Sequence, residues 1–257
     1  MLLAIDLGNT QTAIGLFNGS ELVQSWRMPT DHTFTKDELH VRLLGYFQMY
    51  GISLAQVSAL AFAGVVPQLL REWRGVAVQL GVPFVQVGSD TAAVTKVDAP
   101  HPAEVGADRI ANAVAAAELY GAPSIVVDFG TATNLDVVDA RGYYIGGAIA
   151  PGIGISMDAL SSRAAKLASV PMEVPAHAIG RNTVEAVQVG IVMGTAAMAE
   201  GLVGRIRREL GETGRNAQVI ATGGLAGVVA NCTEVFDHVD QQLTLQGIRL
   251  IWERMQE

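Results

Sequence analysis

The residues best suited to chemistry are two aspartates, each followed two positions later by glycine and then by a threonine: Asp6-Leu7-Gly8-Asn9-Thr10 and Asp128-Phe129-Gly130-Thr131. Each stands at the end of a short apolar run. A strand running into a turn of small residues exposes backbone N–H groups, which together bind an anion well. Glycine lets that backbone approach phosphate oxygens closely, and threonine hydroxyls add donors. A carboxylate repels phosphate directly but can hold a cation that grips it, as Mg²⁺ does in phosphoryl transfer. Each turn alone is also what an ordinary hairpin shows; the pair together favours a nucleotide triphosphate. Thr222-Gly223-Gly224, after a later apolar run, offers a floor for the adenosine. The only lysines, Lys36, Lys96 and Lys166, lie outside these turns, so amides, Mg²⁺ and arginine must neutralise charge.

A third cluster, Gly106-Ala107-Asp108-Arg109, opens a helical pattern running from Ile110 to Tyr120. An acid there suits the helix dipole, so a simple surface cap is one reading. The other makes Asp108 the base that takes the proton from an attacking hydroxyl, with Arg109 gripping an anionic group of the substrate. The alcohol proton leaves late in a loose phosphoryl transition state, so this asks for no unusual basicity. Other chemistries drop out. There is no P-loop, no Gly-x-Ser-x-Gly elbow and no third glycine after Gly152-Ile153-Gly154 for a dinucleotide fingerprint. The five histidines, His32, His40, His101, His177 and His238, have no zinc-ligand spacing.

The elements that must position these residues repeat. Leu2 to Ile5, Thr12 to Phe17 and Leu22 to Met28 read as strands, the last two joined at Asn18-Gly19. Ser124 to Phe129, Thr133 to Val138 and Tyr143 to Ile149 repeat that meander, with Asp139 to Gly142 as the turn. Helical spacing follows Asp37 up to a stop at Gly51; Ala59 to Val66 and Val82 to Val87 read as strands flanking a helix that ends near Leu80. Asn182 and Glu185 cap a long helix on which Gly190, Gly194, Gly201 and Gly204 leave one face nearly bare, for internal packing or for a sister subunit. Gln218 to Ala221 is a last strand and Leu245 to Met255 a terminal helix. The expected fold is α/β, two duplicated halves with a cleft between them, divided into residues 1–118 and 119–257.

Composition supports a folded globular chain. The chain has 257 residues, 50% hydrophobic and 16% charged, enough for a sizeable core. A net charge of −8 without a basic patch argues against nucleic acid and anionic membranes. Gly190 to Gly204, the most apolar stretch, is shorter than the ~20 residues of a membrane span. The single cysteine, Cys232, suits a reducing cytosol, and the opening Met1 to Asp6 lacks the basic region of a signal peptide, so a cytoplasmic location is expected.

Five motifs in order make the chain resemble the type III pantothenate kinases of the actin and sugar-kinase superfamily: Asp6 to Thr10, Gly106 to Arg109, Asp128 to Thr133, Tyr144 to Gly152, and Gly180-Arg181-Asn182-Thr183. The resemblance implies two ribonuclease H-like (actin-like ATPase) domains and ATP-dependent phosphorylation of pantothenate, the first step towards coenzyme A. It implies that Asp6, Leu7, Gly8, Asn9, Thr10, Gln11, Thr12 and Ala13 wrap the ATP phosphates, with Asp6 serving Mg²⁺ through water. Thr131 would touch phosphate, and Asp128 would hold a monovalent cation, K⁺ or NH₄⁺. Gly106, Ala107, Asp108, Arg109 and Thr183 would line the pantothenate site, with Asp108 catalytic, and the protein would be a homodimer. Two departures stand out. Lys96-Val97-Asp98-Ala99 carries no aromatic where many relatives place a pocket tyrosine, and Asn134-Leu135 replaces a threonine and an aromatic, beyond the turn and with little effect expected on ATP. The rival readings are a non-catalytic transcription accessory factor of the same family and another small-molecule kinase of the superfamily.

Overall fold

In the computed structural model, which describes residues 1–64, 66–88, 91, 94–163 and 170–257, the two meanders become two sheets of the same design. Lys166 lies outside the described residues. The first half runs β1 (Leu2–Leu7), β2 (Gln11–Asn18), β3 (Glu21–Pro29), α1 (Lys36–Met49), β4 (Ala59–Gly64), α2 (Pro67–Leu80), β5 (Phe84–Gln86) and α3 (Ala107–Leu119). The second runs β6 (Ser124–Phe129), β7 (Ala132–Val138), β8 (Tyr144–Pro151), α4 (Ile153–Arg163), α5 (Thr183–Gln188), α6 (Gly194–Glu209), β9 (Gln218–Thr222), α7 (Ala226–Ala230) and β10 (His238–Val239), before α8 (Leu243–Arg254). The sheet orders are β3-β2-β1-β4-β5 and β8-β7-β6-β9-β10. In each, the first strand pairs antiparallel with the second and parallel with the fourth.

In the first sheet, Leu3, Ile5 and Leu7 of β1 join Ile14, Leu16, Leu60 and Phe62 beneath α1 and α2, around a fully buried Trp73. The opposite face, Leu2, Ala4, Ala59, Ala61 and Ala63, packs against Ala107, Ile110, Ala111 and Val114 of α3 and Leu245, Ile248 and Ile251 of α8. A strand buried on both faces must be apolar throughout, which is why β1 and β4 read as continuous runs. Local signals hold the helix ends: Thr35 and Glu38 form a capping box on α1, and Gly51 beyond its C-terminus has φ +68°. The β2–β3 hairpin pairs Asn18 with Glu21, so Gly19 and Ser20 occupy the turn, one residue later than Asn-Gly alone suggests.

By contacts the chain separates into Met1–Ala115 with Thr244–Glu257, and Ala116–Leu243. The terminal helix α8 thus belongs with the first unit, which a single cut after residue 118 does not capture. Gly247 explains how it packs there. A Cβ at this position would lie 1.9 Å from the Ala111 carbonyl oxygen, so the α8 and α3 backbones meet directly. Near the crossing, Tyr120 donates to Asp240 Oδ2 at 3.0 Å, and burial together with that carboxylate pushes its phenol up to about 12.

The second unit corrects one expectation. The apolar stretch around Gly190 to Gly204 belongs to a continuous 27-residue helical run, Thr183–Glu209, in which a π-helical segment (Val189–Met193) joins α5 to α6. By length and composition it could cross a membrane. Its Val187, Ile191, Ala196, Ala199 and Val203 pack instead with Ile125, Val127 and Val219 of the second sheet. The sequence reading came out shorter because it started the count at a glycine inside the helix.

The Gly247 contact generates a paired prediction. Gly247→Ala forces apart two helix backbones and is expected to cost about 1–3 kcal/mol, lowering Tm by several degrees. Gly45→Ala, exposed in α1 with open space around its Cβ, is expected to be neutral or to gain up to ~1 kcal/mol. Thermal unfolding of the two variants against wild type checks both.

Candidate active site

β1 hands the chain to β2 through Gly8, Asn9 and Thr10. The turn closes when the Gly8 N–H donates to the Gln11 carbonyl at 3.0 Å. Asp6 is half-buried at the end of the strand, with Ala13 and Ala63 as its cross-strand neighbours, so small side chains leave room beside its carboxylate. Leu7 is core, and only its backbone is available to a ligand. Asn9, Thr10 and Gln11 are exposed, and Ala13 is half-buried. Thr12 is fully buried, and its hydroxyl lies 2.9 Å from Thr30 Oγ1. Thr30 is a residue the sequence reading passed over. Its hydroxyl donates to the Gly8 carbonyl at 2.8 Å and its N–H to the Thr10 carbonyl at 2.9 Å.

The second turn, Gly130-Thr131, is one residue shorter and closes the same way, Gly130 N–H to Ala132 carbonyl at 3.0 Å. Two glycines brace it. A Cβ on Gly152 would fall 2.2 Å from the Thr131 carbonyl oxygen and 2.7 Å from that of Gly130. A Cβ on Gly223, whose φ is +92°, would fall 2.5 Å from Asp128 Oδ1 and 2.7 Å from the Phe129 carbonyl oxygen. Thr131 is exposed and Asp128 half-buried. Unlike Asp6, Asp128 has polar cross-strand neighbours, Asn134 on β7 and Thr222 on β9. Asn134 is therefore beside Asp128 rather than remote from it, and its buried Oδ1 has no hydrogen-bond partner among the described residues.

These donor sets differ in what they fit. No group of three or more His, Cys, Asp or Glu side chains is gathered among the described residues, so a divalent cation finds no all-protein cage. That suits Mg²⁺, which keeps water and shares phosphate oxygens with one or two carboxylates. Asp128 Oδ1 and the Phe129 carbonyl oxygen, which accepts from the Leu225 N–H at 3.3 Å, both lie against Gly223, and Asn134, with its Oδ1 unsatisfied among the described residues, stands opposite on β7; these oxygen donors are of the kind that fits a hard monovalent ion.

Asp108 begins α3. Its Oδ1 accepts from the Arg109 N–H at 2.9 Å and folds so closely over Gly106 that a Cβ there would sit 2.5 Å from it. The glycine of this motif is thus a space requirement of the aspartate. In Gly180 to Thr183, a Cβ on Gly180 would meet the Ala186 backbone nitrogen at 2.4 Å, while Asn182 accepts from the Glu185 N–H at 3.0 Å. Both residues build the start of α5 and leave Thr183 exposed in its first turn.

Two five-stranded sheets of one topology, each with an acidic strand end running into a glycine turn, define the actin-like ATPase and sugar-kinase fold class. A solved structure of this fold from Campylobacter jejuni, assigned to the Baf family of transcriptional activators, superposes with a TM-score of 0.64 at 17% identity, covering 99% of this chain and 98% of that one. The activator of 2-hydroxyisocaproyl-CoA dehydratase from Clostridium difficile, solved with bound ADPNP, gives 0.56 at 13% identity, with 99% and 97% covered. Sequence narrows the class. The type III pantothenate kinase profile matches residues 2–205, and the type III pantothenate kinase of Streptomyces coelicolor is 48% identical over 260 residues, spanning 99% of this chain and 98% of its own. The chain belongs to the type III pantothenate kinase family.

Because Gly152 lies under the second turn, Gly152→Ala is expected to displace Gly130 and Thr131. Titration calorimetry with Mg-ATP should then show at least tenfold weaker binding with an unchanged far-ultraviolet circular dichroism spectrum, one turn donor being worth about that factor.

Proposed function

We propose that this protein transfers the γ-phosphoryl group of ATP to the primary alcohol of pantothenate, giving 4′-phosphopantothenate and opening coenzyme A biosynthesis. The observation that carries the reading is the family match over residues 2–205, which takes in both turns and the Gly106 to Arg109 cluster. Asp6, Leu7, Gly8, Asn9, Thr10, Gln11, Thr12 and Ala13 are assigned to the phosphates, Leu7 through its backbone and Thr12 by supporting the turn. Thr131 is a further phosphate contact. Mg²⁺, served by Asp6 through water, would neutralise charge on the triphosphate. Asp128, with the Phe129 carbonyl and Asn134, would hold K⁺ or NH₄⁺. Gly106, Ala107, Arg109 and Thr183 are assigned to pantothenate, with Arg109 on its carboxylate. Asp108 takes the proton of the attacking hydroxyl on Oδ2, since the Arg109 N–H already occupies Oδ1.

Two further assignments complete the reading. A homodimer is supported by a bare strip on the Thr183–Glu209 run, where Ala186, Gly190, Gly194, Ala197 and Gly201 are exposed, and by exposed Ile149, Ile155, Ile179 and Val184 in the same unit. A cytoplasmic site of action is supported by the single cysteine, Cys232, whose thiol pKa burial pushes up, away from ready oxidation.

The kinase reading expects ADP release that needs pantothenate, Mg²⁺ and K⁺ or NH₄⁺ together; turnover indifferent to pantothenate would refute it. Asp108→Asn is expected to lower kcat by ~10²–10⁴ with ATP affinity retained, measured by coupled assay and calorimetry. For the dimer, Gly201 is exposed and a Cβ there meets nothing within 4 Å among the described residues, so Gly201→Leu should yield a folded monomer in sedimentation velocity. A wild-type chain that sediments as a monomer at micromolar concentration would contradict the assignment.

A further inference from the structure

The two sheets superimpose by register, and the comparison isolates one residue. Gln11 pairs with Pro29 and Ala132 pairs with Pro151, so the residue after each proline, Thr30 or Gly152, occupies the same place beside its turn. In the second half the carbonyls of Gly130 and Thr131 lie directly against the bare Gly152 Cα. In the first half the turn is a residue longer, and a side chain fills the extra space: the Thr30 hydroxyl donates to the Gly8 carbonyl at 2.8 Å. A hydroxyl carries one proton, so the 2.9 Å contact with Thr12 must have Thr12 as donor and Thr30 as acceptor. The Thr30 N–H holds the Thr10 carbonyl as well. In the second half the residue matching Thr12 is Thr133, and there, with glycine at 152, the buried Thr133 hydroxyl has no hydrogen-bond partner among the described residues.

The geometry points to Thr30 as a positioning residue for nucleotide binding: its hydroxyl fixes the Gly8–Asn9 peptide so that the Asn9 N–H faces the phosphates. This rests on the assignment of the first turn to ATP. The Gly8–Asn9 peptide is trans, so drawing the Gly8 oxygen towards Thr30 directs the Asn9 N–H to the opposite side. Asn9 is exposed and its N–H donates to no backbone carbonyl among the described residues, which suits a donor offered to an incoming anion. A donor held in place needs no reorganisation when the ligand arrives, which is where such a hydrogen bond gains its effect. Thr12, buried beneath, is the second link of the same chain: it orients the Thr30 lone pair and so keeps the Thr30 proton on Gly8.

Thr30→Val keeps the shape and removes the hydroxyl; Thr30→Ser keeps the hydroxyl and removes the methyl group. Steady-state kinetics with Mg-ATP and pantothenate, calorimetric titration with Mg-ATP alone, and amide hydrogen exchange on wild type and both variants test the assignment. Thr30→Val is expected to raise KM and Kd for ATP about tenfold, the effect of one lost hydrogen bond, with KM for pantothenate within about twofold. Thr30→Ser should return ATP binding to within about twofold of wild type. Exchange in Thr30→Val should quicken at the amides of Gly8 and residue 30, which hold the first turn, but not at that of Gly130, which closes the second. Unchanged ATP affinity in Thr30→Val overturns the inference, as does equal loss for both substrates or a serine variant as impaired as valine. Should Thr30→Val fail to fold, Thr30→Ser decides by itself: normal ATP affinity supports the hydroxyl, and loss of affinity assigns the effect to the methyl group and overturns the inference. A wild-type chain that binds ATP but ignores pantothenate would sink the substrate assignment and leave this one standing. A wild-type chain that binds no ATP would sink both.

Discussion

A central strand buried on both faces sets the terms for everything around it. β1 and β6 each pair with a strand on either side; β1 lays its side chains into two cores, and β6 puts Ile125, Val127 and Phe129 into one. At the strand end the chain must reverse within three residues in one half and two in the other, and each time a glycine N–H closes the bend on the first carbonyl of the returning strand. The carbonyls of the bend turn inward towards the end of the third strand. Because peptide N–H and C=O groups point in opposite directions, the N–H groups are left facing out. The bends proposed to bind phosphate are therefore a by-product of how each sheet is connected, each preceded by an acid at the strand end.

The duplicated halves resolve the crowding under this bend differently, and the difference tracks the roles assigned to them. The first uses hydroxyls, Thr30 and Thr12, to support a longer turn, and flanks Asp6 with two alanines. That suits a carboxylate working through water and a turn that reaches a large ligand. The second removes side chains at Gly152 and Gly223 and surrounds Asp128 with Asn134 and Thr222. There the bare Gly223 Cα lies against Asp128 Oδ1 and the Phe129 carbonyl oxygen. The glycines at 106, 180 and 247 follow the same logic, each allowing a carboxylate or a backbone into the space a Cβ would fill.

Much of this was legible in the residues. The turns at Gly8 and Gly130, the Asn182 cap and the helix start around Asp108 all rest on local geometry, and local geometry follows from residue type over a few positions. The duplication was legible too, because two meanders with the same punctuation are visible in one dimension. Thr30 was not. Nothing in Pro29-Thr30 marks it until the β2–β3 register brings it back across twenty-two residues to the Gly8 carbonyl. The place of Asn134 was hidden for a related reason: counted along the chain it lies past the turn, whereas across the ladder it stands opposite Asp128.

From its amino acids alone this chain determined most of its strands, its two acidic turns, the helix starts near Gly106 and Asn182 and the identity of its acids, since those depend on neighbours a few bonds away; α4 and β10 were not legible there. Only the tertiary structure decided that α8 returns to the first unit through Gly247, that the helical run from Thr183 extends to Glu209, and which residues stand beneath each turn. Those outcomes depend on strand register and on close approach between backbones, and both are properties of segments brought together from far apart in the chain.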